Sequence, residues 1–266
     1  MRVPYLSIIF LLFIFIGSFL GGYIYQVSPF ELHPDSILLP PSLEHLFGTD
    51  RLGRDILARV IEGGKVSLTI GVLSAILSSL LGLMIGVMAG FFRGKVDKAT
   101  VVAIDLFLTF PTFFLLLALI SYMNASVWIL VFIISVTGWM GMARMIRSES
   151  FAISNKPFIK VLKVANVSRL KIILKYFTPI LAPIFFISFT FGVGGAILAE
   201  SGLSFLGIGI MPPQISWGSI LSSGKGVVDI APWVSFFPGL MIFLVVFCLV
   251  NISDFLQKFT NQKDSF

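Results

Sequence analysis

Few side chains in this sequence have the type and spacing that catalysis or ligand chemistry requires. His33 and His45 stand twelve residues apart, which is a weak indication of a metal site. Gly94-Lys95 and Gly224-Lys225 both lack the earlier glycine and the following Ser or Thr of a phosphate-binding loop. No apolar run that could span a membrane carries paired catalytic groups. We therefore predict no catalytic residue, no metal and no cofactor in this chain, which is not expected to be an enzyme.

The elements that carry these residues are mostly apolar. The 266 residues are 57% hydrophobic and 12% charged, with a mean hydropathy of +1.00. Soluble domains carry roughly 25% charged residues, so lipid must be part of the solvent. Six runs are long enough to span a bilayer as helices: 6–25, 66–92, 99–121, 127–142, 177–198 and 234–250. We expect an all-α polytopic membrane protein with about six transmembrane helices.

The distribution of positive charge predicts how the chain is oriented. If the N-terminus is cytoplasmic, fourteen of the nineteen Lys and Arg residues fall in inside segments. This bias favours both termini in the cytoplasm of a prokaryotic inner membrane. The prediction divides the chain into an anchor with an external loop (1–65) and a transmembrane domain (66–258). A basic cytoplasmic loop (143–176) lies within the second unit, and 199–233 forms another external loop.

Polar residues are scarce inside the predicted spans. Asp105 is the one ionisable residue assigned to a span, which makes it a candidate for the pathway or a gate. Ion-coupled carriers usually show several such groups or broken helices, and neither is evident in the sequence. The driving force is therefore expected to come from another subunit. Gly82, Gly86 and Gly90 recur every four residues, a spacing that favours close helix packing.

One stretch of the basic loop has a helical pattern. Phe158, Val161, Leu162 and Ala165 recur at helical spacing, and Pro157 suits a first turn. The nearby lysines fall largely off that face. Such an amphipathic helix can lie among lipid headgroups or dock its apolar face on a soluble partner, and the pattern leaves both readings open.

Several motifs in order resemble the inner-membrane permease subunits of binding-protein-dependent ABC importers, of the oligopeptide/dipeptide/nickel family. They run from the segment before the second span to the start of the last span: His45-Leu-Phe-Gly-Thr-Asp50-Arg-Leu-Gly-Arg54-Asp55, Asp105 with Phe110-Pro111, Glu200-Ser-Gly-Leu-Ser-Phe-Leu-Gly, Ser216-Trp217-Gly218 and Phe237-Pro238-Gly239. The resemblance implies a type I permease bundle whose residues 158–179 form the coupling loop that docks on an ATPase.

The coupling loop departs from the family pattern of Glu-Ala-Ala, a later Gly, and Ile-Leu-Pro. Those positions hold Lys160-Val161-Leu162, Asn166 and Phe177-Thr178-Pro179, so only the proline is kept. Lys160 reverses the usual charge, and we hypothesise an acidic residue opposite it on the partner. The resemblance implies that the following residues of the coupling loop dock on the ATPase: Phe158, Lys160, Val161, Leu162, Ala165, Asn166 and Pro179.

By the same resemblance, Asp105, Pro111 and Glu200 are candidates for the pathway or gate, and Asp50, Arg54, Asp55 and Trp217 for external docking. The implied partners are a second permease, two ATPase subunits that carry ATP and Mg, a substrate-binding protein and membrane lipid, with no nucleic acid. Short peptides are the expected cargo. Nickel or a metal chelate is the first alternative, and a channel or scaffold that uses no ATP is an alternative of another class.

Overall fold

The computed structural model describes residues 3–263, with side chains up to residue 260. Apart from one isolated bridge between Thr49 and Asp55, all regular structure in this range is helical, which confirms the all-α prediction. The helices are α1 (Tyr5–Ile24), α2 (Ile56–Phe92), α3 (Gly94–Thr109), α4 (Thr112–Ser121), α5 (Val127–Asn155), α6 (Pro157–Val164), α7 (Arg169–Ile172), α8 (Thr178–Phe205), α9 (Trp217–Gly224) and α10 (Trp233–Lys263). A 3-10 turn (Pro34–Ser36) precedes α2, and a π-helical segment (Ile173–Phe177) joins α7 to α8.

Within the described part of the chain, five helices are long and apolar enough to cross a membrane. The remaining predicted span, 99–121, corresponds to the helix pair α3 and α4, whose axes differ by 81° at the break between them. The expectation that no helix is broken was therefore wrong. Phe110 has extended backbone angles because the ring of Pro111 disfavours a helical conformation in the residue before it.

Helix α2 is the central element. Its N-cap is Asp55, whose carboxylate accepts a hydrogen bond from the Ala58 amide at 2.8 Å. The helix then runs for 37 residues, about 55 Å, and ends where Arg93 adopts a positive φ of 59°. A domain boundary after residue 65 would fall inside this helix.

The glycine stripe of α2 packs against α5. A Cβ atom added to Gly86 would lie 2.8 Å from the Ala143 carbonyl oxygen, and one added to Gly90 would lie 2.5 Å from the Ser150 Cβ. The two helices run parallel and approach closely because these positions carry no side chain. Helix α8 packs antiparallel on another side of α2, and α10 packs on α8.

The helix bundle has two ends that differ in composition. The cap end comprises residues 25–55 and 206–232, and the basic end comprises residues 93–98 and 155–178. The first part of the predicted basic loop, residues 143–155, is instead the last part of α5. Helix α5 can carry Arg144 and Arg147 because each forms an ion pair with an aspartate of α3.

Candidate functional site: a coupling helix and a buried cap

Helix α6 has a face that packs on the bundle and a face that does not. Ile159 is fully buried and Leu162 is partly buried, both in a cluster that includes Ile146 of α5 and Phe177. Pro157 occupies the first turn, where a missing amide is tolerated. The anchored side of α6 was not predicted, although Ile159, Leu162 and Asn166 recur at helical spacing.

The other face of α6 is open. Phe158, Val161, Val164 and Ala165 are exposed, with Val161 at 66% and Val164 at 86% exposure, and Lys160 is exposed beside them. Three of these apolar residues were predicted from the sequence, and Val164 was missed. A cytoplasmic helix rarely exposes such a row of apolar side chains unless another surface covers it.

Asn166 ends α6 in the left-handed region, at a φ of 53°. The Val167 amide donates to the Leu162 carbonyl at 3.1 Å, closing the helix C-terminus. Asparagine tolerates this conformation better than most residues, so it can serve where the resembled family has glycine. Pro179 lies elsewhere: it is the second residue of α8, after the π-helical segment. It lines a cavity of about 890 Å³ whose wall also includes Glu149 and Lys156.

Asp105, the ionisable residue of the third predicted span, lies on the surface of α3. Its side chain is 60% exposed and accepts a hydrogen bond from Arg144 at 2.7 Å. Asp97 forms a second ion pair with Arg147 closer to the basic end, with one N–O distance of 2.9 Å. Pro111 is exposed at the break between α3 and α4. The structure thus places a polar pair on the surface of two membrane-spanning segments.

Glu200 lies inside α8 rather than in an external loop, and it is fully buried. Its carboxylate accepts hydrogen bonds from Ser204 at 2.7 Å and Ser67 at 3.1 Å. The Ser67 hydroxyl also accepts from the backbone amide of Trp217 at 3.1 Å. Glu200 therefore joins α8, α2 and α9 at one point, in a position that no solvent-borne ligand reaches.

Trp217 is also fully buried, so it cannot itself contact a docking protein as predicted. Its indole N–H donates to the Val60 carbonyl of α2 at 2.9 Å. The residue begins α9, whose Ser216 and Ser219 form a capping box. This short helix is held against α2 from inside the bundle because a large apolar ring fills the space between them.

Asp50 and Asp55 are buried at the cap end and are likewise unavailable for docking. Asp50 accepts from the Arg54 amide and side chain, and Arg54 keeps 19% of its side-chain surface exposed. Asp55 accepts from the Tyr25 hydroxyl at 2.9 Å, and His45 Nδ1 lies 3.0 Å from the same oxygen. Burial and the Asp55 contact raise the pKa of Tyr25 to about 12.

The described residues, 3–263, contain no group of three or more His, Cys, Asp or Glu side chains placed to hold a metal ion. His45 is engaged with Asp55, and His33 contributes backbone hydrogen bonds to the same cap.

Comparison with known proteins assigns a family to this architecture. The model of the family described as "Binding-protein-dependent transport system inner membrane component" matches residues 82–263. The oligopeptide transport system permease protein OppC of Haemophilus influenzae is 32% identical over 260 residues, covering 97% of this chain and 84% of that protein. OppC of Escherichia coli is 34% identical, covering 95% and 83%.

The dipeptide transport system permease protein DppC of Bacillus subtilis is 32% identical over 257 residues, covering 95% of this chain and 79% of that protein. Among solved structures, an inward-facing MetNI methionine ABC transporter aligns with a TM-score of 0.61 at 16% identity, covering 76% of this chain and 96% of that chain. That likeness supports the predicted permease-like fold. The family match confirms a multi-pass inner-membrane transport subunit: this chain belongs to the inner membrane components of binding-protein-dependent transport systems.

Proposed function

We propose that this permease forms one half of the pathway of an ATP-driven importer of short peptides. The matched relatives are named as oligopeptide and dipeptide permeases, which supports this cargo. The other half is a second, similar permease. Two ATPase subunits carry ATP and Mg, and an extracytoplasmic binding protein delivers the peptide.

The orientation belongs to the same proposal. Both termini lie in the cytoplasm, so the basic end faces the ATPase subunits and the cap end faces the binding protein. The support is the charge bias, since fourteen of the nineteen Lys and Arg residues fall on the cytoplasmic side in this arrangement.

The open face of α6 is the observation that carries the proposal. Phe158, Val161 and Val164 project from a helix whose opposite side is anchored by fully buried Ile159. Anchoring matters because a force applied to the open face is then transmitted to α2, α5 and α8 through one apolar cluster. A row of apolar side chains on a short helix is a recurring mode of docking into a groove.

The exposed pair Asp105 and Arg144 supports a place for the pathway. Charged side chains facing hydrocarbon cost several kcal/mol, so this surface is expected to face water or protein. We place it, with Pro111, toward the pathway or the second permease. Glu200 is left out of the pathway because its carboxylate is fully buried and bonded to serines.

The test is reconstitution of the complete transporter in proteoliposomes, with ATP hydrolysis and peptide uptake measured with and without loaded binding protein. Replacing Val161 and Val164 together with serine should lower stimulated hydrolysis by about tenfold or more, because two docking contacts are lost. Val96→Ser is the matched control, since Val96 is exposed at the basic end but lies on α3. Equal activities of the double variant and the control would contradict docking through α6.

The remaining outcomes separate the alternatives. Stimulation by nickel or its chelates but not by peptides would overturn the cargo, and flux that needs no ATP would overturn the importer. Lys160→Glu tests whether an acidic partner residue faces α6: transport and complex yield should both fall. Unchanged transport and yield would remove that hypothesis.

A further inference from the structure

A cationic cavity lies at the basic end, where α2 stops. It has a volume of about 520 Å³ and lies between Phe91 and Phe92 of α2 and the turn from Lys163 to Arg169. The Lys163 Nζ atom stands 4.5 Å from the Phe91 ring centre, and the Arg169 Cζ atom stands 5.5 Å from that of Phe92. Both cations are thus held over aromatic rings that form the floor of the cavity.

These positive charges lack an acidic partner. The lining side chains include no Asp or Glu, and none of the ion pairs among the described residues involves Lys163 or Arg169. Burial lowers the pKa of Lys163, and repulsion from Arg93 and Arg169 lowers it further. An anion in the cavity would relieve this repulsion.

An apolar groove adjoins the cationic cavity and shares Phe92 and Arg169 with it. It has a volume of about 520 Å³ and runs along α2 from Leu83 to Phe92, a length of about 13 Å. Its opposite wall is the segment around α7 and the π-helical turn, where Leu170 and Leu174 are both more than 60% exposed. The groove therefore lies alongside a membrane-spanning helix and opens at its end into a group of cations.

We propose that the cavity and groove together bind one anionic phospholipid of the leaflet at the basic end. The phosphate lies between Lys163 and Arg169, and part of one acyl chain lies in the groove. A free phosphate ion shares the headgroup chemistry but leaves the groove empty. An acidic protein segment would match the cations, but the groove is lined by apolar side chains of α2 within the predicted span 66–92, where lipid is the expected neighbour.

The location gives such a lipid a structural consequence. Bound there, it would join the end of α2 to the turn between α6 and α7, next to the helix that we propose docks on the ATPase. The assignment of the lipid site rests on membrane insertion and on these contacts, and it does not depend on the proposed cargo or on ATP hydrolysis.

The test uses the purified transporter complex in lipid nanodiscs and in detergent. Thermal unfolding is followed while dioleoyl phosphatidylglycerol or dioleoyl phosphatidylcholine is titrated, and retained lipids are identified by native mass spectrometry. The wild-type complex should bind phosphatidylglycerol in preference to phosphatidylcholine. Replacing Lys163 and Arg169 together with glutamine should weaken that binding about thirtyfold, because both headgroup cations are lost.

Lys171 and Lys175, replaced together with glutamine, form the matched control. Both are exposed and close in sequence, and neither lines the cavity, so equal charge is removed and binding should change less than about twofold. Leu174→Trp keeps every charge but narrows the groove, and it should weaken binding of the long-chain lipid by about tenfold.

Three results would overturn the proposal. The first is an equal loss in the two double-glutamine variants, which would indicate general attraction to a charged surface. The second is stabilisation by inorganic phosphate equal to that by the lipid, which would indicate a soluble anion site. The third is an absence of preference for phosphatidylglycerol. Each result is read from lipid binding, so a failure of peptide transport would leave it unaffected.

Discussion

The cap end and the basic end of this permease satisfy their polar groups in opposite ways. Asp50 and Asp55 at the cap end, and Glu200 in the adjoining last part of α8, are all buried, and each accepts hydrogen bonds from several donors within the chain. At the basic end, residues 155–178 contain six Lys and Arg residues and no acid, and apolar side chains of α6 stand open. The buried carboxylates find their hydrogen-bond donors within the chain. The basic end, in contrast, exposes cations and apolar side chains that another molecule can contact.

The difference indicates which parts of the chain are scaffold and which are contact. Buried carboxylates with several donors stabilise one arrangement, because breaking any bond leaves a polar group without a partner in a low-dielectric interior. An exposed apolar face costs the isolated chain little and becomes favourable when a partner covers it. Variants of buried contacts should therefore lose stability, whereas variants on the open face of α6 should lose coupling.

The largest loss of stability is expected for Glu200→Ala. It removes the acceptor shared by Ser67 and Ser204 and leaves buried hydroxyls and a cavity, so the free energy of unfolding should fall by about 3 kcal/mol. Glu149→Ala is the control, since Glu149 is exposed on α5 and should change stability by less than about 0.5 kcal/mol. Denaturant titration of the purified permease in detergent provides the measurement. Similar losses for the two variants would contradict the assignment of Glu200 as a buried structural contact.

An intermediate loss is expected at the anchored face of α6. Ile159→Ala deletes a fully buried side chain and should lower stability by about 2 kcal/mol, while Val164→Ala, on the open face, should leave it unchanged. Val164→Ala should instead lower the stimulated ATP hydrolysis of the complete transporter, because it removes a side chain from the docking face. Hydrogen exchange of residues 157–167 would report whether Ile159→Ala loosens α6. Unchanged protection in that variant would mean that the buried contact does not hold the helix.

The smallest effect is expected at Tyr25, on the rim of the cap. Tyr25→Phe removes one hydrogen bond to Asp55 and should lower stability by about 1 kcal/mol near neutral pH. Because the pKa rises from 10.0 to about 12, this contribution is fully present below pH 10 and is lost as the pH rises toward 12. Thermal unfolding of both proteins from pH 8 to pH 11.5 should show their difference shrinking only above pH 10. A constant difference would contradict the assigned contact.

Hydrophobic runs in the sequence were sufficient to predict the class of fold and the number of spans, because the bilayer requires about 20 apolar residues per helix. They could not predict which face of a helix finds a partner. Ile159 falls outside the predicted apolar stripe and is buried, because α6 lies across the ends of three other helices. Glu200 carries a charge that predicts a loop, but serines from two helices solvate it inside the bundle. The pairing of Ser67 with Glu200 joins residues 133 positions apart, which no local sequence pattern shows.

The length of α2 has a mechanical consequence. At about 55 Å, this helix is nearly twice as long as the bilayer core is thick, and it touches both ends of the molecule. A rigid rod of that length, tilted by about 5° around its middle, moves each tip by about 2 Å. Ser67, about 10 Å from the middle of α2, lies 3.1 Å from Glu200, and Phe92 at the far tip borders the cationic cavity. The same tilt moves Ser67 by about 1 Å, and a movement of that size away from Glu200 would stretch their 3.1 Å hydrogen bond beyond bonding distance. A movement of the tip at Phe92 can therefore alter the contact between α2 and α8 without any change in the shape of the helix.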